Sequence, residues 1–191
     1  PHLSSATTAG ISAAFSNPEQ LAAWVRMCIV EIVQSVEDDV KAHRYFAYVT
    51  RFRQPEEMYH RALYVLFVAK PSEIPHIMSN EMPNSFSAMW GAVNNTIYAG
   101  KGTLNRKLTG LAGEVFTPMD TLNSGAHASF GAVVTVIDVS KNRAKWAPII
   151  AKHIGYWKLL AVNLSWIEKR FKAGDSANDV LKDFKKHLGV S

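Results

Sequence analysis

Two long stretches of this sequence place apolar side chains at helical spacing, and they constrain the fold more than any other feature. In the first, Leu21, Trp24, Val25, Cys28, Ile29, Ile32, Val33 and Val36 recur at three- and four-residue intervals. In the second, Ile150, His153, Ile154, Trp157, Leu160, Ala161, Leu164, Ile167 and Phe171 do the same. A period near 3.6 gathers such residues on one side of an α-helix, and that side must bury itself against another element. The fold class that follows is mainly α, a helical bundle.

Punctuation in the sequence sets the expected bounds. Asn17 reads as an N-cap with Pro18 at the first helical position and Gln20 at the third, so the first helix starts there. It is expected to run to about Val40, with continuation towards Tyr48 left open. Pro55 opens a second helix, with Glu56 and Glu57 in its first turn and Met58, Tyr59, Ala62, Leu63, Leu66 and Phe67 on one face. Lys70-Pro71 ends it, and Pro75 and Pro83 break the next stretch. Asn84 is expected to cap a helix carrying Phe86, Met89, Trp90, Val93 and Ile97. A turn at Gly100-Lys101-Gly102, a short helix over 103–111 and a long loop over 113–131 with one turn after Pro118 follow.

Ala132–Val139 is short and β-branched, which suits either one short β element or a buried helical turn. Pro148 is expected at the start of the long second-half helix and Gly174 at its end. Ser176 with Asp179 forms a capping box for a last helix bearing Val180, Leu181, Phe184 and Leu188. Residues 1–16 are small and polar and read as a flexible N-terminal arm; 17–191 read as one domain, with no repeat or linker dividing them.

Composition narrows the class further. With 191 residues, 48% hydrophobic and 19% charged, the chain can bury a core and is not disordered throughout. No apolar run reaches the roughly 18 residues that span a bilayer, so no membrane partner is expected. The first residues lack the basic and apolar regions of a secretory signal. Pro1 is what removal of an initiator methionine would leave, which would make the chain a complete gene product; an arbitrary boundary fits equally. Cys28 is the only cysteine, so neither an intrachain disulfide nor a cysteine zinc site is available, and a reducing compartment is the natural setting. Its place among the apolar positions of the first helix predicts a small buried hydrophobe and not a nucleophile.

Charge is unevenly spread. Residues 141–191 hold 11 lysines and arginines against 4 acids, while residues 1–140 hold 10 against 12, within a net charge of +5. Residues 82–113 contain no acid and include Lys101, Arg106 and Lys107. That polarity suits a polyanion; a solvated basic helix face is the plainer alternative. Arg44, Arg51 and Arg53 interleave with Tyr45, Phe46, Tyr48 and Phe52, a pattern that can hold phosphates and stack on unpaired bases. The plainer reading puts the rings in the core and pairs the arginines with Asp38, Asp39, Glu56 or Glu57. Candidate RNA-binding residues are thus Lys101, Arg106, Lys107, Arg51, Arg53 and Arg44.

Signatures of catalysis are scarce. No phosphate-binding glycine loop, nucleophile elbow or His-Glu-x-x-His pattern occurs, so neither an enzyme nor a cofactor is expected. Glu57-x-x-His60 and Glu73-x-x-His76 are two Glu-x-x-His pairs of the kind di-metal helical bundles use, with Glu31 as a further donor. A helical di-metal enzyme is therefore an alternative expectation, and a cellular helical adaptor a third.

Three patches resemble the coat proteins of rod-shaped plant RNA viruses of the tobacco mosaic type. Ala14-Phe15-Ser16-Asn17-Pro18-Glu19-Gln20-Leu21 is similar to their aromatic-x-Asp/Asn-Pro helix start. Thr50-Arg51-Phe52, followed by Pro55 and Tyr59, resembles the stretch after their first helices, and Ser165-Trp166 through Lys169-Arg170-Phe171 their closing segment. The resemblance implies a viral coat or nucleocapsid protein, found in the virion and the host cytoplasm, that polymerises helically around single-stranded RNA. It also implies self-contact, with the N-terminal arm docking on a neighbouring subunit. The family's RNA-contacting arginines are not carried over, because residues 79–140 do not align with the segment that holds them.

Overall fold

A computed structural model describes residues 17–74, 77, 86–98 and 130–190 of the chain. These residues are mainly helical, and none of them lies in a strand. The elements are α1 (Pro18–Lys41), α2 (Phe46–Arg51), α3 (Gln54–Phe67), a 3-10 turn (Pro71–Glu73), α4 (Phe86–Ile97), α5 (Phe130–Lys141), α6 (Arg143–Lys172) and α7 (Ala177–His187).

α1 and α6 form the main packed pair, with α3 against both and α4 on α3. Two ion pairs give the direction: Arg26 meets Glu168 at 2.9 Å and Glu37 meets Lys158 at 2.6 Å. As α1 advances, its partner on α6 falls back, so the two run antiparallel. The core between them draws Ile29, Val33 and Val36 from α1 and Ile154, Trp157, Leu160, Leu164 and Ile167 from α6. α3 adds Tyr59, Ala62 and Leu63, and α4 adds Met89, Val93 and Ile97. α7 closes one end, where Phe184 and Phe171 both face Phe67 at about 6 Å between ring centres.

Both apolar stretches form helices, with two corrections in detail. Trp24 and Cys28 are exposed, although their spacing predicts burial. The buried line of α1 passes through Leu21, Ala22, Ile29, Val33 and Val36. Cys28 is one residue from Ile29, a turn of about 100° at 3.6 residues per turn, and so faces outward. Pro148 does not start α6: the helix begins at Arg143 and Pro148 lies inside it. Asp138 explains the earlier start, accepting from Asn142 Nδ2 at 2.6 Å and from the buried Trp146 indole Nε1 at 2.9 Å. These bonds hold the first turn where proline alone would begin it five residues later. Of the two readings open for Ala132–Val139, the helical one holds and the β element does not form. The buried residues Ala132, Thr135 and Val139 follow a helical period, and Val133, Val134 and Ile137 face out.

Helix ends follow local chemistry. α6 stops in a Schellman turn, where the Asp175 amide reaches the Arg170 carbonyl and the Gly174 amide that of Phe171. Gly174 takes the left-handed conformation this turn needs, with φ of +89°. α1 ends in the same way through the Arg44 and His43 amides, but the left-handed residue is His43, with φ of +59°. α1 therefore does not continue to Tyr48. Ser176 caps α7, its Oγ accepting from the Asp179 amide at 3.3 Å. The expected arm at 1–16, the Asn84 cap, the turn at 100–102, the helix at 103–111 and most of the loop at 113–131 lie outside the described residues.

Candidate nucleic-acid interface

Arg44, Arg51 and Arg53 lie close together in the sequence, and the fold places them around α2. Arg44 follows the left-handed His43 and binds Asp39 through Nε at 2.8 Å and Nη2 at 2.6 Å. Arg53 sits between α2 and α3 and meets Glu57 at 3.3 Å. Arg51 ends α2, is exposed and makes no ion pair among the described residues. It borders a surface hollow of about 460 Å³ with Cys28, Glu31 and Met58. The interleaved rings divide: Tyr45, Tyr48 and Phe52 are buried, as the core reading expects, while Phe46 is 58% exposed. Lys101, Arg106 and Lys107 lie outside the described residues.

A second basic surface was legible only as the charge excess of residues 141–191. Lys169 and Lys172 stand exposed on the last turns of α6, and Lys182 is exposed on α7. None of the three makes an ion pair among the described residues, and the same is true of Lys141 and Lys145 near the α5–α6 junction. Next to this surface, Arg170 bridges Asp175 and, at 2.8 Å, Asp183, and lies over the Trp166 ring at 5.4 Å. The Arg170 guanidinium holds the Asp183 carboxyl below its ordinary value. Asp175 and Asp183 share the Arg170 guanidinium, and Lys186 meets Asp183 at 3.6 Å, so these charges pair within one cluster and Lys169, Lys172 and Lys182 stay outside it.

Of the residues of the metal-binding alternative, His60, Glu57 and Glu73 are engaged elsewhere, and Glu31 borders the hollow beside Arg51. The His60 ring is buried, with Nδ1 at 2.7 Å from the Glu56 carbonyl and its edge against Trp90 at 4.0 Å between centres. Glu57 faces Arg53, and Glu73 accepts from the Lys70 amide at 2.8 Å and from Tyr64 Oη at 3.5 Å. His76 lies outside the described residues, and among those described no three His, Cys, Asp or Glu side chains group as metal ligands. The remaining polar groups of the interior support packing: Tyr48 Oη lies 2.7 Å from His153 Nδ1, and Asn163 Nδ2 donates to Tyr59 Oη at 3.3 Å. Among the described residues, no helix is long and apolar enough to cross a membrane.

Set against known proteins, the chain matches no family model, no curated protein and no solved structure. The likeness to rod-shaped virus coat proteins is confined to three sequence patches.

Proposed function

We propose that the chain is a coat or nucleocapsid protein that polymerises helically around single-stranded RNA, in virions and in the host cytoplasm, and has no enzymatic role. The observation that carries this reading is the exposed basic surface of α6 and α7, where Lys169, Lys172 and Lys182 have no carboxylate partner among the described residues. Lysines so placed hold phosphates of any sequence and gain from the counterions they release. Arg51 and the acid-free segment with Lys101, Arg106 and Lys107 supply further contacts. Arg44 and Arg53 contribute less, since each must exchange a carboxylate for a phosphate. The three coat-protein patches and the N-terminal arm supply the self-contact half of the reading.

Particle morphology tests it. Protein mixed with single-stranded RNA at low salt should form rods or filaments in negative stain, with an absorbance spectrum showing bound nucleic acid. Protein that stays monomeric and RNA-free at every salt concentration overturns the reading.

A further inference from the structure

Arg143, Ala147, Ala151 and Gly155 follow one another at four-residue steps on the exposed side of α6. After Arg143 this row carries only small side chains, and a groove of about 530 Å³ opens beside it, floored by Val40, Trp146, Ile150 and Ile154. That volume is in the range of small-molecule sites, which are mainly apolar with a few polar groups that orient the ligand. From Arg143 to Gly155 the row is about 18 Å long at 1.5 Å per residue. Glycine weakens a helix, and a Cβ at position 155 would meet nothing within 4 Å, so the room left there belongs to the groove.

Charge differs between the two ends. Glu37 is the one acid on the described lining, and Lys158 takes it at 2.6 Å. At the opposite end of the row, Arg143 makes no ion pair among the described residues; its Nε donates to the Ser140 carbonyl at 3.2 Å, which leaves the terminal nitrogens of the guanidinium for a ligand. Asp138, shortly before it, is turned to Asn142 and the Trp146 indole. α6 begins at Arg143 without a side-chain cap, so the positive end of the helix adds to the guanidinium. Lys41 and His43 complete the lining on the α1 side, with Lys41 meeting Asp38 at 3.7 Å.

We infer that this groove binds a free fatty acid, with its alkyl chain along Ala147, Ala151 and Gly155 and its carboxylate on Arg143. A long aliphatic floor with an unpaired cation at one end matches an extended apolar body with a single anionic head. A ligand polar throughout would lose hydration over Ile150 and Ile154 without new hydrogen bonds. The planar guanidinium holds a carboxylate through two parallel hydrogen bonds. Orientation follows from the same charges: the methyl end points towards Glu37, where a carboxylate would meet its like. The inference goes beyond the coat reading and uses none of the lysines assigned to RNA.

Isothermal titration of RNA-free protein with dodecanoate, kept below its micellar concentration, tests it. Binding should saturate at 1:1, and dodecyltrimethylammonium, an equal chain with a cationic head, should bind more weakly. Arg143→Gln should weaken dodecanoate about tenfold, the loss expected for a charge-assisted hydrogen bond, and remove the preference over the cation. Gly155→Leu fills the groove and should abolish binding while raising the melting temperature, an effect opposite in sign to simple damage. Ala151→Leu repeats the test if Gly155→Leu loses its helical circular dichroism. No saturable binding, uptake of many molecules that the variants leave unchanged, equal binding of the cation, or either variant binding as wild type does overturns the inference. So does a dimer in sedimentation velocity that Gly155→Leu dissociates and dodecanoate does not, which would give the groove to a second copy.

Discussion

Tyr48, Tyr59 and Tyr98 each carry a phenol into the fully buried interior. Burial pushes all three hydroxyls above their ordinary value, because a phenolate there would lose its hydration. The sign of the pH effect follows. Below about pH 10, where free tyrosine titrates, folded and unfolded chains hold these protons equally and stability is unaffected. Above it the unfolded chain releases them and the folded chain does not, so stability falls as pH rises. In an alkaline titration, tyrosinate absorbance from these three should appear only together with loss of the helical dichroism. Ionisation of every tyrosine near pH 10 with the helices intact would contradict this. At the residue scale, burial was legible where positions sat near the centre of an apolar line, as at Ile29 and Val33. It was not legible at the edge, as at Trp24 and Cys28, because spacing alone does not say how wide an arc the partner helix covers. His43 was equally opaque, since a helix end in left-handed conformation is usually announced by glycine.

The longest helices are where reading and structure agree best. α1 and α6 each present one long apolar side, and nothing but mutual burial satisfies it. α5 shows the limit: valine-rich composition suits a strand, and only the spacing of Ala132, Thr135 and Val139 against a neighbour decides for helix. Contacts with α2 and α6 overrode the local preference. Pro148 misled for a related reason, its signal being outweighed by the Asp138 bonds to Asn142 and Trp146. Inside α6 a proline cannot donate to the Ala144 carbonyl. Pro148→Ala should restore that bond and stabilise the fold by about 1 kcal/mol, read as a higher midpoint in urea unfolding. An unchanged or lower midpoint would show that the first turns of α6 contribute little to stability.

At the scale of the whole molecule, charge is unevenly spread along the chain and the fold pairs only part of it across the two halves. Glu37, Asp38 and Asp39 of α1 pair with Lys158, Lys41 and Arg44, while Lys169, Lys172 and Lys182 are exposed and make no ion pair among the described residues. If they hold phosphates, replacing Lys169, Lys172 and Lys182 with glutamine should weaken single-stranded RNA binding. The slope of log affinity against log salt should flatten by about 2, at roughly 0.7 per phosphate contact. The same change with unaltered slope would place the RNA elsewhere, with Lys101, Arg106 and Lys107 the next residues to replace. That surface was legible only as an excess of positive charge, because a count does not say which lysines a folded chain leaves unpaired.

The outward turn of Cys28 has a practical side. It is the sole thiol, it is exposed, and it stands on α1 one residue from Met27. A maleimide dye or spin label would therefore attach once per subunit, at the hollow that Cys28 borders with Glu31, Arg51 and Met58. Distances between such labels in an assembled particle would then report how successive subunits are spaced.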